Sequence, residues 1–141
     1  MNRFLFSLSF LCVSATASFG QGTAAPGKPA GVVVTDKVKH VTPNELEPLL
    51  AQKKVVVLDL RTPEEFASGH IAGARNIDFN GADFKEKIGA LDKSQSYVVH
   101  CAAGGRSTRS LPVFDEQQFK SILHLDGGLK AWTAAGKPIG Q

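Results

Sequence analysis

The chain contains very little cysteine: among its 141 residues only Cys12 and Cys101 carry a thiol. Cys12 lies in an amino-terminal apolar segment that we expect to be removed, and Cys101 then remains as the only thiol of the mature chain. An intramolecular disulfide framework is therefore excluded. A single thiol is exposed to oxidation and mispairing in an exported protein, so its presence there suggests a chemical use.

The chain also lacks clustered charge and obvious metal-ligand spacing. Its 16 basic and 13 acidic side chains are scattered, and the formal net charge is only +3. This pattern gives no indication of a nucleic-acid partner. Because His40 and His124 are isolated in the sequence, we expect neither a metal ion nor an organic cofactor. No internal repeat occurs, and no low-complexity segment follows residue 37.

Residues 1–20 have the pattern of a secretory signal peptide. Arg3 is their only charge, residues 4–13 are almost continuously apolar, and small residues precede two possible cleavage points, after Ala17 and after Gly20. The apolar run is too short to remain as a membrane-spanning helix. We therefore expect cleavage after Gly20 and a periplasmic or secreted protein without stable membrane insertion.

The rest of the chain divides into a linker and one domain. Residues 21–37 are rich in glycine, alanine, proline and threonine, which is typical of a linker. Residues 38–141 alternate predicted strands with predicted helices, the pattern of an α/β fold with a parallel sheet. We predict strands at residues 38–41, 54–59, 74–78, 96–100 and 121–125. We predict helices beginning at Pro43 and Pro63 and at residues 82–91, 106–119 and 128–135.

Local signals support particular elements. Thr42 and Thr62 are each followed by proline and, three residues on, by glutamate, which predicts capped helix starts. The strands at 54–59 and 96–100 each contain an uninterrupted apolar run, residues 55–58 and 97–99, as in strands buried on both faces. Pro112 falls inside a predicted helix and should kink that helix or be confined to its first turn.

The most informative segment directly follows the strand at 96–100. It consists of Cys101, Ala102, Ala103, Gly104, Gly105 and Arg106. The two glycines allow positive φ angles that turn successive N–H groups toward one point, and the alanines leave that point uncrowded. A nearby guanidinium and a helix start both favour a thiolate. We predict an anion-binding loop with the Cys101 sulfur at its floor, rather than a cysteine that serves only in packing.

Four motifs, in order, resemble the rhodanese-like single-domain sulfurtransferases over residues 38–139. They are Asp59–Phe66, Gly69–Ile77, the loop of residues 101–106 with Ser107, and Leu125–Trp132. The resemblance implies a five-stranded, mostly parallel sheet flanked by helices on both faces. It also implies a cysteine that accepts sulfane sulfur from a donor such as thiosulfate and passes it to cyanide or a thiol, including that of a thioredoxin-like protein.

The resemblance also implies roles for individual residues. Cys101 would be the nucleophile, and the backbone N–H groups of residues 102–106 would hold the persulfide, with Arg106 orienting the loop or the donor. Asp59 and Arg61 would support the edge of the site. His100 adjoins the nucleophile, but neighbouring residues of a strand point to opposite faces, which argues against a general base there.

Two other classes of function remain open. Phosphatases and arsenate reductases also combine a cysteine and an arginine around an anion loop, but similar phosphatase loops have one residue more than the four between Cys101 and Arg106. The thiol could instead serve a sulfur-carrier or redox-binding module without turnover. Turnover measurements separate these alternatives.

Overall fold

A computed structural model describes residues 36–141. The predicted signal peptide and nearly all of the predicted linker lie outside the described residues. Between residues 36 and 141, no helix has both the length and the apolar character needed to cross a membrane.

Strands and helices alternate along the chain in the predicted order. The strands are β1 (Val38–Val41), β2 (Val56–Asp59), β3 (Arg75–Asn76), β4 (Ser96–His100) and β5 (Ser121–Leu125). The helices are α1 (Pro43–Ala51), α2 (Pro63–Ala67), α3 (Phe84–Gly89), α4 (Gly105–Glu116) and α5 (Gly128–Ala134). The predicted bounds of β1, β4 and β5 are confirmed, whereas β2, β3 and α3 are shorter than predicted. Helix α4 begins one residue earlier and ends three residues earlier than predicted, and α5 ends one residue earlier.

The five strands form one parallel sheet in the order β1-β5-β4-β2-β3. This arrangement confirms the predicted fold class. β4 occupies the centre, and its last residue, His100, pairs in register with Asp59 at the end of β2. The carboxyl ends of β2 and β4 therefore bring Asp59 next to the start of the Cys101 loop, at the edge where parallel sheets of this class bind ligands.

The sheet separates two apolar cores. Tyr97 and Val99 of β4 face a cluster that includes side chains of α3 and α4. Val98, between them, faces the opposite cluster, which includes side chains of α1 and α5. Because successive residues of a strand point to opposite faces, an uninterrupted apolar run fits a strand covered on both sides. Helices thus flank both faces of the sheet, as predicted.

The two predicted capping boxes are confirmed. Thr42 caps α1 and Thr62 caps α2; each hydroxyl accepts the N–H of the glutamate three residues later, whose carboxylate accepts the threonine N–H. Loss of such a cap typically costs about 1 kcal/mol. In α2, which is only five residues long, this box also fixes Glu65 near the Cys101 loop.

Pro112 lies at the eighth position of α4, so the expectation that it would be confined to the first turn is wrong. Proline cannot donate the N–H that a residue four positions earlier would accept. The helix nevertheless continues to Glu116, because Leu111 and Phe114 on either side of the proline are fully packed into the core. Burial of two large apolar side chains offsets the missing hydrogen bond.

The start of α5 forms hydrogen bonds with the backbone of the Cys101 loop. The N–H groups of Leu129 and Lys130 donate to the carbonyls of Cys101 and Ala102, each at 2.9 Å. Gly128 allows this approach, since a Cβ there would lie 2.4 Å from the Cys101 carbonyl oxygen and its φ is +59°. A side chain at this position would displace the backbone of the loop.

We predict that Gly128→Ala destabilises the fold more than Gly73→Ala does. Gly73 also has a positive φ, +76°, but a Cβ there meets nothing within 4 Å. Gly73→Ala should therefore cost only the left-handed strain of about 1–2 kcal/mol, while Gly128→Ala adds a steric cost of about 1–3 kcal/mol. Urea unfolding measures both free energies of unfolding. Equal costs would contradict the proposed contact between α5 and the loop.

Candidate active site

Cys101 directly follows β4 at the centre of the sheet, and only 2% of its surface is exposed to solvent. The Gly104 N–H donates to the Cys101 sulfur at 3.2 Å. Gly104 adopts a φ of +101°, the left-handed conformation that turns its N–H back toward the sulfur. Gly105, in contrast, begins α4 without a positive φ, so only Gly104 uses the left-handed conformation that the sequence allows at both glycines. One left-handed residue suffices because the helix itself aligns the N–H groups that follow.

Two effects shift the pKa of the Cys101 thiol in opposite directions. Burial disfavours the thiolate and raises the pKa of Cys101. Hydrogen bonding from Ser107, through its N–H and its hydroxyl, and from the N–H groups of Gly104 and Ala103 favours the thiolate. The hydrogen bonds prevail, so the pKa of Cys101 lies below its ordinary value. The site is therefore built to increase the nucleophilic form of the sulfur.

Ser107 is a member of this site that the sequence did not single out as a contact of the sulfur. Its Oγ lies 3.6 Å from the Cys101 sulfur, 3.0 Å from the Gly104 carbonyl oxygen and 2.9 Å from Nε2 of His124. The hydroxyl is fully buried. Once Gly105 begins the helix, Ser107 falls in its first turn and is buried. The only signal in the sequence is its place directly after the loop motif.

Arg106 is held by Glu65 of α2. Its two terminal guanidinium nitrogens donate to the two carboxylate oxygens of Glu65 at 2.6 and 2.7 Å. This pairing lowers the pKa of Glu65 to about 2. Glu65 and the nearby negative charge of Cys101 both raise the pKa of Arg106. The guanidinium thus stays close to the sulfur, while a carboxylate that sequence reasoning did not assign to the site fixes its orientation.

Asp59 and Arg61 form a buried ion pair beside the loop. Nε and Nη2 of Arg61 donate to the carboxylate of Asp59, the Nη2 bond being 2.7 Å long, and the Arg61 N–H donates to the same carboxylate at 3.0 Å. Nη2 also donates to the carbonyl of Gly69 at 2.6 Å. The pair ties the end of β2 to the turn after α2. These contacts are structural, so the pair supports the edge of the site.

His100 points away from the sulfur, toward the buried pair. Its Nδ1 lies 3.1 Å from the Cys101 carbonyl oxygen, and its Nε2 lies 3.7 Å from Oδ2 of Asp59. Burial lowers the pKa of His100, so the ring is neutral. Neither nitrogen is placed to take a proton from the thiol, which agrees with the argument from strand alternation.

The fold brings His40 and His124 together, so the expectation that they are isolated is wrong. They are register partners on β1 and β5, and their ring centroids lie 5.0 Å apart. Asp126, just beyond β5, places Oδ1 2.6 Å from Nδ1 of His40 and 3.1 Å from Nδ1 of His124. His40 and His124 are 84 positions apart in the sequence and meet because β1 pairs with β5. Their spacing in the sequence does not reveal this pairing.

The rim of the loop carries almost no side-chain bulk. Ala103 and Gly105 are exposed and Ala102 is half-buried. A shallow groove of about 410 Å³ lies beside Ala103, with Gly127, Ala131 and Ala134 on its walls and Lys130 contributing a positive charge. A small anion thus has open access to the loop. A thiol with a lowered pKa and backbone N–H donors around it has the groups that covalent catalysis on a small anion would need.

We predict that Ser107→Ala moves the pH profile of Cys101 alkylation to higher pH. Removing the hydroxyl takes away one stabilising contact of the thiolate, and about 1 kcal/mol for one hydrogen bond corresponds to roughly fivefold slower alkylation at neutral pH. Iodoacetamide labelling followed by mass spectrometry measures the rate. Ser110→Ala is the matched control, because Ser110 is equally buried on α4 but its hydroxyl bonds only to the Ser107 carbonyl. An identical profile for both variants would contradict the role of Ser107.

The site and fold can now be compared with known proteins. Residues 42–135 match the family model described as "Rhodanese-like domain". The thiosulfate sulfurtransferase GlpE of Pseudomonas aeruginosa is 35% identical over 100 residues, which cover 70% of this chain and 87% of that protein. GlpE of Shewanella oneidensis is 35% identical over 97 residues, covering 69% of this chain and 94% of its own length.

Solved structures agree with this match. A rhodanese-related protein from Thermoplasma volcanium superposes with a TM-score of 0.65 at 28% identity, covering 72% of this chain and 97% of the other. A rhodanese-like domain protein from Staphylococcus aureus gives a TM-score of 0.60 at 29% identity, covering 67% and 90%. With the cysteine loop, the parallel sheet and the flanking helices in place, the chain belongs to the rhodanese-like family.

Proposed function

We propose that this rhodanese-type sulfurtransferase moves sulfane sulfur from a small anionic donor such as thiosulfate to cyanide or a thiol, through a persulfide on Cys101. The observation that carries the proposal is the Gly104 N–H aimed at the Cys101 sulfur at the start of α4. The same N–H groups that favour the thiolate are placed to hold the terminal sulfur of a persulfide, which is also an anion.

The reaction consists of two displacements at sulfur. The Cys101 thiolate attacks the outer sulfur of thiosulfate; a new S–S bond forms, the old one breaks, and sulfite leaves with the bonding electron pair. The persulfide anion then gives its outer sulfur to cyanide, forming thiocyanate and restoring the thiolate. Charge is conserved in each step, and neither step requires a proton, an oxidant or a metal ion.

Access to the loop supports a small donor and a range of acceptors. Cys101 is only 2% exposed, but the exposed Ala103 and Gly105 put little side-chain bulk at the mouth of its loop, and Lys130 adds attraction for a negative charge. The four residues between Cys101 and Arg106 make a loop suited to one sulfur rather than a tetrahedral phosphate. The shallow groove beside Ala103 also gives room for a thiol carried by a partner, such as a thioredoxin-like protein.

We predict that Cys101→Ser abolishes thiocyanate formation from thiosulfate and cyanide while the fold remains intact. Oxygen replaces sulfur with little change in volume, so circular dichroism and the unfolding midpoint should stay close to those of the parent. Ser110→Ala serves as the active control. Transfer near the parent rate in Cys101→Ser would contradict the mechanism. Loading of sulfur without turnover in the parent would favour the carrier module, and hydrolysis of a phosphate monoester would favour the phosphatase.

We further propose that residues 1–20 direct export of the protein to the periplasm or beyond the cell. The apolar segment with its single charge, Arg3, supports this proposal. Amino-terminal sequencing of the protein from its native compartment should find Gln21 as the first residue. Retention of Met1 would overturn the assignment.

A further inference from the structure

A second group of chemically active side chains lies behind the nucleophile, and the transfer mechanism does not use it. His40 on β1, His124 on β5 and Asp126 just beyond β5 each offer one ligand atom, and these atoms all lie within 4.8 Å of one another. Both histidines point Nδ1 at the same carboxylate oxygen. Three side chains from two strands thus converge on one point.

The donor set has a definite chemical preference. Two imidazole nitrogens and one carboxylate oxygen suit Zn²⁺ and related first-row divalent ions, which often keep a fourth position open for water. With bonds of about 2.0–2.1 Å, tetrahedral ligand atoms lie about 3.3 Å apart. His124 and Asp126 are close to this separation at 3.1 Å, and His40 must withdraw from Asp126 by under about 1 Å. The ligand atoms of the two histidines lie within 4.8 Å of each other and must approach by up to about 1.5 Å.

The three residues differ in exposure in a way that suits ion entry. The side chains of His40 and Asp126 are 33% and 54% exposed, so solvent reaches them, whereas that of His124 is only 4% exposed. The half-exposed pair faces the solvent that would deliver the ion. The cluster is therefore reachable without unfolding any element.

Ser107 already supplies the outer hydrogen bond that histidine ligands commonly have. When Nδ1 of His124 binds a metal ion, Nε2 carries the hydrogen, and the Ser107 Oγ lies 2.9 Å from it, ready to accept. Such a partner fixes the tautomer and orientation of the ring.

We propose that His40, His124 and Asp126 bind a divalent transition-metal ion of the zinc type. The ion joins edge strand β1 to β5 and lies behind the nucleophile, to which Ser107 connects it: the Ser107 Oγ is 3.6 Å from the Cys101 sulfur. The sulfur-transfer steps do not require this ion, and its occupancy is measured without reference to activity.

The test uses the chain carrying Cys101→Ser, with Cys12→Ser as well wherever residues 1–20 are retained, so that no thiol competes for the ion. Co²⁺ serves as the spectroscopic probe, and Zn²⁺ is then added to displace it. We expect one Co²⁺ per chain with visible d–d absorption, loss of that absorption on adding Zn²⁺, and a Zn²⁺-dependent rise in the unfolding midpoint. Adding His40→Ala or Asp126→Asn should weaken binding about tenfold or more and remove the rise.

His70→Gln in the same background is the matched control, because His70 is a half-buried histidine elsewhere in the fold, where its Nδ1 lies 3.1 Å from the carbonyl oxygen of Phe66. It should leave binding unchanged. His40 and Asp126 are chosen over His124 because their partial exposure keeps the variants folded. Absence of saturable Co²⁺ and Zn²⁺ binding, or binding that survives both His40→Ala and Asp126→Asn at full strength, would overturn the proposal.

Discussion

The hydrogen bond from the Gly104 N–H to the Cys101 sulfur is the contact on which the rest of the site depends. It requires a left-handed residue at the amino end of α4, and φ of +101° at Gly104 provides it. It also requires that the loop carbonyls turn away from the sulfur. The start of α5 makes that possible, because the N–H groups of Leu129 and Lys130 bind those carbonyls. N–H groups therefore face the sulfur while the carbonyl groups are satisfied behind it.

Charge around the sulfur is organised in two pairs of different strength. Asp59 and Arg61 are buried, and removing one partner of a buried pair typically costs about 3–5 kcal/mol. Glu65 and Arg106 are more exposed, with side chains 36% and 18% exposed, and such pairs are worth less because water screens them. The first pair thus acts as a rigid support, whereas water reaches the second.

The sequence predicted those features that follow from local pattern. The apolar run at 96–100 marked the central strand, and the two threonine caps marked α1 and α2, because each signal lies within a few residues. The sequence did not predict features that depend on tertiary contacts. Glu65 meets Arg106 across 41 positions, and His40 meets His124 only because β1 joins β5. The sequence also does not show which of Gly104 and Gly105 adopts a positive φ, because that depends on where α4 begins.

The central claim is that Cys101 carries sulfane sulfur as a persulfide held by the N–H groups of its loop. Intact mass of the mature protein before and after thiosulfate, and again after cyanide, tests this claim most directly. The account predicts a gain of one sulfur, about 32 Da, that disappears with cyanide and is absent in Cys101→Ser. A parent protein whose thiol is demonstrably free and whose mass does not change with thiosulfate would contradict it.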